Sequence, residues 1–252
     1  MPHPTEKPIS EGYYRGRLKA LFKADKRLKD YWTGKRVNTT DPYLRWALDV
    51  VEEAATTSIP VVIVEPKEEY SEESRTGLII SKERTKIAAA LSVALSITTR
   101  GETCITAPYT DQILHTKMYL QRTYGELLRK HKLGIRFETA QSMLGSEADN
   151  VVAVLGKEYY SGLERKTIYF REPELLNVQL SRHRRLLFIV GNLRKLSKQA
   201  GKGNQVDRSR TYKPIAMTAK HLLWMADVSP DEKIPSGEKR IGDGAIYRKS
   251  PF

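Results

Sequence analysis

The chain predicts a doubly wound α/β domain, a parallel sheet with helices on both faces. Three observations predict it. Short apolar runs rich in β-branched residues, such as Ile59-Pro60-Val61-Val62-Ile63-Val64, read as strands buried on both faces. Longer segments between them carry apolar residues at helical spacing. The two kinds alternate from about residue 58 to about residue 196, as crossover connections between parallel strands require.

The elements follow in order. Asp41-Pro42 starts a helix, with Asp41 as its cap and Pro42 in its first position, and Leu44, Ala47, Leu48 and Val51 form its apolar stripe. The run 59–64 is the first strand, and the acidic stretch 65–76 is a surface loop. A helix fits 82–98 through Ile87, Leu91, Ala94 and Leu95, a strand fits 102–107, and a long helix fits 111–130. Strands fit 135–139 and 151–155, a helix fits 174–182, and a last strand fits 186–190.

Two flanking regions differ in composition. Residues 1–57 form a basic arm. Within its first 40 residues ten Lys/Arg face four acids, and Leu18, Leu21, Phe22, Leu28, Tyr31 and Trp32 recur at near-helical spacing. Residues 197–252 read as a basic, flexible tail with one docking helix at 219–228.

The chain has 252 residues and a formal net charge of +13. Such an excess favours a polyanionic partner, because phosphates concentrate around a positive surface. A 40% apolar content supports an ordinary core. Cys104 is the one cysteine and lies in the apolar run Thr103-Cys104-Ile105-Thr106, which suits a core residue in a reducing compartment, cytoplasmic or nuclear. The five histidines are scattered, so no Cys/His metal site is expected. No apolar stretch reaches about 18 residues, so no membrane span is expected either. A complete nucleotide hydrolase of this architecture needs a Gly-rich loop ending in Lys-Ser/Thr. No such loop occurs, nor does an Asp-Glu pair closing an apolar strand to hold magnesium. The segment Gly201-Lys202-Gly203 has neither the spacing nor a preceding strand.

Three segments stand out together. They are Ile105-Thr106-Ala107-Pro108-Tyr109-Thr110-Asp111-Gln112, then Thr139 through Val152 with Gly145, Glu147 and Asp149, then Leu176-Asn177-Val178-Gln179-Leu180-Ser181-Arg182-His183-Arg184-Arg185. In order and spacing they resemble motifs IV, V and VI of superfamily-1 helicases, in the branch containing the nonsense-mediated-decay RNA helicase and senataxin. The opening segment, with His3-Pro4, Ile9-Ser10 and Tyr13-Tyr14-Arg15-Gly16-Arg17-Leu18, is similar to the connector between the two RecA-like halves of those motors.

The resemblance implies a RecA-like second half of an ATP-dependent DNA or RNA helicase, with the phosphate-binding first half absent. It implies that Arg182 is an arginine finger, a guanidinium aimed at phosphate charge developing on the facing lobe. Arg184 is implied as a second phosphate contact, with Arg185 as a weaker candidate. Gly145 and Glu147 are implied at the nucleotide, Tyr109 near the adenine or the strand path, and Thr139 and Ser142 on the nucleic-acid backbone. ATP and Mg2+ then belong only to a complete motor. The implied partners are single-stranded nucleic acid and a first RecA-like lobe, in cis or in trans. On the residues alone, Ser181 to Arg185 equally reads as a cationic helix end, Gly145 as an ordinary turn, Thr139 and Ser142 as strand-end hydroxyls, and His183 as a surface side chain. The chain also departs from the family pattern. Leu144 replaces the Gln usual before the motif V glycine, and Gln141 replaces the Asp usual after its Thr. Those departures keep open a second reading, a RecA-like scaffold that binds nucleic acid or protein without catalysis.

Overall fold

In the computed structural model, residues 4–19, 28, 30–67, 71–73, 78–157, 168–202 and 212–252 are described. The centre is a seven-stranded sheet. In chain order its strands are β1 (Val61–Glu65), β4 (Thr103–Ala107), β5 (Ile135–Thr139), β6 (Ala148–Val154), β7 (His183–Val190), β8 (Lys239–Ile241) and β9 (Ala245–Lys249). In space they run β5-β4-β6-β7-β1-β9-β8, all parallel except β8, which pairs antiparallel with β9. Separately, β2 (Ser71–Glu73), inside the stretch 65–76 expected to be loop, pairs antiparallel with β3 (Leu78–Ile80) just beyond it.

The described helices are α1 (Glu6–Tyr13), α2 (Pro42–Thr57), α3 (Lys82–Thr98), α4 (Thr110–His131), α5 (Ile168–Arg171), α6 (Glu174–Ser181), α7 (Leu193–Lys202) and α8 (Tyr212–Met225). They cover both faces, as the alternation in sequence predicts. Val62, Val64, Ile105, Val152, Phe188 and Val190 pack under α2, α3 and α4. Val61, Ile63, Cys104, Val151, Ala153, Leu187 and Ile189 pack against α1, α6, α7 and α8. Each such aliphatic side chain contributes about 2 kcal/mol by leaving water. Helix α3 is buried nearly all round. Its run Ala88-Ala89-Ala90-Leu91 is small enough for α2 and α4 to flank it closely over the sheet. Asp41 caps α2 as expected, its Oδ1 accepting the Leu44 N–H at 2.7 Å and the Tyr124 hydroxyl at 3.0 Å. Cys104 is a core residue, and burial pushes its thiol up to about 11.

The fold class is the one the sequence predicts. The expectation of a flexible tail over 197–252 is corrected. Helix α7 runs on through Lys202, and α8 begins at Tyr212, seven residues earlier than expected. Strand β9 lies beside β1 inside the main sheet, with Val61 opposite Ala245 and Glu65 opposite Lys249. A buried ion cluster fixes it there. The Glu65 carboxylate accepts two bonds from Arg194, at 2.6 and 2.8 Å, and bonds from the Lys249 ammonium and the Tyr247 hydroxyl, both at 2.6 Å. Most of the expected arm helix through Leu21 and Phe22 lies outside the described residues. Leu28 and Tyr31 are buried, and Trp32 forms a bridge with Thr99.

Candidate nucleotide-cleft and nucleic-acid site

The strands do not end level. His183 pairs with Ala148, whereas Val61 pairs with Leu187, so β6 and β7 project past β1 at the N-terminal edge of the sheet. Arg182 sits on this projection. Helix α6 ends at Ser181, and Arg182 turns the chain into β7 with φ −95° and ψ 2°, the bridge region between helix and strand. Its carbonyl accepts the Ala148 N–H at 3.0 Å. That bond ties motif VI to the end of the motif V loop.

The loop 140–147 returns from the C-terminal end of β5 to the start of β6 through consecutive turns. Met143 N–H donates to the Thr139 carbonyl, Leu144 N–H to Gln141 and Ser146 N–H to Met143. Met143 is buried beneath, while Leu144, Gly145 and Glu147 face solvent. Gly145 has φ +81°, and a Cβ there would meet nothing within 4 Å. The backbone conformation, not crowding, asks for glycine. Arg136 holds the far side of the loop, donating to the Glu147 carbonyl at 3.0 Å and to the Glu102 carboxylate at 3.0 Å.

The three arginines have different environments. Asp149 Oδ1 lies 3.4 Å from Arg184 Nε and 3.6 Å from Arg185 Nε, and Oδ2 accepts the Glu102 N–H at 3.2 Å. Arg185 also stacks on the Tyr31 ring at 4.4 Å. Gly101 makes room for that ring, since a Cβ there would come within 1.7 Å of the Tyr31 hydroxyl. Arg184 is exposed and Arg185 is held from two sides. Arg182 is half-buried and has no ion pair among the described residues, and its Nε is buried with no hydrogen-bond partner.

His183 corrects an expectation. It is 1% exposed rather than a surface side chain, with Nε2 2.9 Å from the Thr5 hydroxyl. Burial pulls its pKa down to about 3, so the imidazole is neutral at pH 7. It pins α1 against the start of β7, directly beside Arg182.

The remaining predicted residues lie at the opposite edge. Thr139 ends β5, level with Ala107 at the end of β4. Its hydroxyl accepts the Ser142 N–H at 3.1 Å, and the Ser142 hydroxyl donates to the Thr139 carbonyl at 3.1 Å. Tyr109 stands just beyond β4 at the N-cap position of α4, and its hydroxyl accepts the Lys157 N–H at 3.4 Å. Gly156 lies under that ring, where a Cβ would sit 3.3 Å from Tyr109 Cε2. From the level of Thr139 to Ala148 is six residues of β6, roughly 20 Å of extended chain. The structure therefore brings Arg182, Arg184 and Glu147 to one edge, and Tyr109, Thr139 and Ser142 to the other, with Gly145 on the loop between them beside Ser146, whose hydroxyl donates to the Glu138 carboxylate at 3.1 Å. Tyr109 is thereby separated from the residues it was grouped with as nucleotide-binding. Among the described residues no cluster of three His, Cys, Asp or Glu could hold a metal, and no helix is long and apolar enough to cross a membrane.

A family model described as an AAA domain, AAA_12, matches residues 4–194. The chain belongs to that family. Its AAA domain is of the kind found as the C-terminal domain of superfamily-1 helicases, in the senataxin-like branch. No curated protein gives a significant match. The matched span of the AAA domain takes in both edges described above and ends in the first turn of α7, so α8, β8 and β9 lie beyond it.

Several residues that shape the AAA-domain site were not legible as such. Asp149, which lies at a register shift between Ala148 and Asn150, anchors two arginines. Gln179 is buried, and its Nε2 donates to the Val154 carbonyl at 3.2 Å and the Thr106 carbonyl at 3.4 Å. Tyr169 donates to Gln179 and accepts the Gly156 N–H at 2.9 Å. This chain of bonds supports the β4 and β6 ends beneath Tyr109. A polar residue inside the apolar stripe of α6 was the available signal.

Proposed function

We propose that this AAA domain is the C-terminal lobe of an ATP-dependent DNA or RNA helicase, completing an ATP site whose phosphate-binding side lies on a first RecA-like lobe. Arg182 supplies the finger to the phosphate charge. Arg184 adds a second cation, and the Gly145–Glu147 turn orders the nucleotide side of the cleft. Thr139, Ser142 and Tyr109 at the other edge contact a single strand. The observation that carries this reading is the environment of Arg182. It is the arginine of its segment without an acidic partner among the described residues, one backbone bond from the Glu147 turn, with an unsatisfied buried Nε. The half-exposed guanidinium, with no counter-charge beside it among the described residues, is available to an anion from outside. The ATP and Mg2+ of a complete motor would supply that anion and its counter-charge.

In this reading the lobe alone has no ATPase. Turnover of ATP and Mg2+ is to be measured for the chain by itself, then mixed with or joined to a Walker-bearing superfamily-1 first lobe. Activity only in the combination is expected. Robust turnover by the purified chain alone would overturn the half-site reading.

A second reading, a binding scaffold without catalysis, is favoured by Leu144. It is 64% exposed next to Gly145, and a leucine there offers a nucleotide neither donor nor acceptor. Failure of the combined lobes to turn over ATP, with nucleic-acid binding intact, would select it.

A further inference from the structure

The hairpin formed by α7 and α8 carries an unusual surface. Its sequence over 193–202 and 212–226 holds six Lys/Arg and no acid; Arg194 is turned inward to Glu65 and Lys198 to Asp231, while Lys213 and Lys220 are exposed on α8. Near its end Trp224 is 72% exposed, although tryptophan is a costly side chain to leave in water. Lys213, Lys220 and Trp224 are all exposed and stand seven and eleven residues along α8, so they share one helix face. The stripe is about 16 Å long at 1.5 Å per residue. Trp224 forms the ridge between two clefts, one of about 750 Å³ and the other of about 640 Å³.

The charges around the ridge are divided in a telling way. Asp227, Asp231 and Glu232 line the larger cleft, but Lys198 pairs with Asp231 at 3.2 Å and Arg240 with Glu232 at 2.9 Å. With Lys220 also on its wall, the larger cleft carries three cations against three acids and is close to neutral, and Lys213 stands exposed further along α8. A neutral, aromatic-walled cleft beside a row of lysines suits a ligand that is itself divided, with flat uncharged faces on an anionic backbone.

We propose that the outer face of α8 is a stacking platform for single-stranded nucleic acid. A base lies on the Trp224 indole, and Lys213 and Lys220 contact the adjoining phosphates. The platform lies beyond the family match, which ends at residue 194. It is separate from the β4–β5 edge that carries Tyr109 and Thr139. It rests on the function proposed above only for the class of ligand.

The test uses the whole chain. Twelve-nucleotide oligo(U) and oligo(dT) are titrated at low salt while intrinsic tryptophan fluorescence and, separately, anisotropy of a labelled strand are followed. Quenching is expected, and Trp224→Ala should remove it and weaken binding about tenfold, the usual cost of losing one base stack. Lys213→Ala and Lys220→Ala should each reduce the slope of log affinity against log salt by about one. Trp32 and Trp46 remain as internal reporters, and the melting curve of Trp224→Ala checks the fold. A Thr139→Val/Ser142→Ala double variant should keep the quenching, whatever it does to affinity. Unchanged affinity in Trp224→Ala overturns the platform, and a loss in the double variant would then still support the other edge. Absence of binding by the unaltered chain also overturns the platform, and leaves the ATP-site reading to its turnover measurement.

Discussion

Arg182, His183 and Gly145 show how single side chains set this site. His183 stands between a helix end and a strand, where its neutral ring packs against Thr5. Its folded pKa of about 3 lies below the ordinary histidine value. The unfolded chain therefore takes up a proton first as pH falls. Stability is full above about pH 6.5 and is lost progressively down to about pH 3. Between pH 7.5 and pH 5 the loss from this one group should be about 2 kcal/mol. Denaturant unfolding at the two pH values should show that difference shrinking by a similar amount in His183→Gln. An equal pH dependence in the variant would contradict the assignment. Gly145→Ala forces a side chain into a left-handed conformation and should cost about 1 kcal/mol. Because nothing crowds the position, the protein should still fold, with a slightly lower thermal midpoint. An unchanged or raised midpoint would show that the turn relaxes.

At the level of elements, the informative case is the C-terminal pair β8 and β9. Their residues, Lys239-Arg240-Ile241 and Ala245 to Lys249, lack the long apolar run that marks a buried strand. Their cations are instead matched by acids distant in sequence. Glu53 on α2 receives Lys239 at 2.7 Å and also Arg248, and Glu65 on β1 receives Lys249. Such pairs cannot be read from local pattern, so the segment reads as tail. Burial by itself would raise the Glu65 carboxyl, but bonds from Arg194, Lys249 and Tyr247 outweigh it and hold the pKa below the ordinary range. Glu65→Ala leaves Arg194 and Lys249 facing each other without a counter-charge, and should destabilise by about 3 kcal/mol. A drop of less than about 1 kcal/mol in urea unfolding would mean that β9 is held by other forces. The α7 helix was hidden for a related reason, since its lysines mask the apolar Leu193 and Leu196 that bury it.

Across the whole molecule, strands β1, β4, β6 and β7 were legible because their apolar runs face both ways, and β5, at the edge of the sheet, as a short run alternating with Arg136 and Glu138; the helices between them keep their period. The candidate site residues were singled out by motif spacing. Their grouping was not, because it depends on which end of a strand each motif occupies. Thr139 and Glu147 are eight residues apart in sequence, yet they lie at opposite edges of the sheet. The resulting picture is a lobe with an arginine edge and a hydroxyl edge, joined by β6 and the 140–147 loop. In the proposed function, ATP at one edge and a strand at the other would be coupled through these rigid strands when the lobes close.

The central claim is that Arg182 acts on nucleotide held by another lobe. Its most direct test is the kcat of ATP hydrolysis by the combined lobes with Arg182→Ala, alongside Arg184→Ala and Arg185→Ala. The account predicts a loss of about a thousandfold or more for Arg182→Ala, the range for a finger arginine, with a smaller loss for Arg184→Ala and the least for Arg185→Ala. A kcat for Arg182→Ala within about threefold of the unaltered protein, in a variant with an unchanged melting curve, would contradict it.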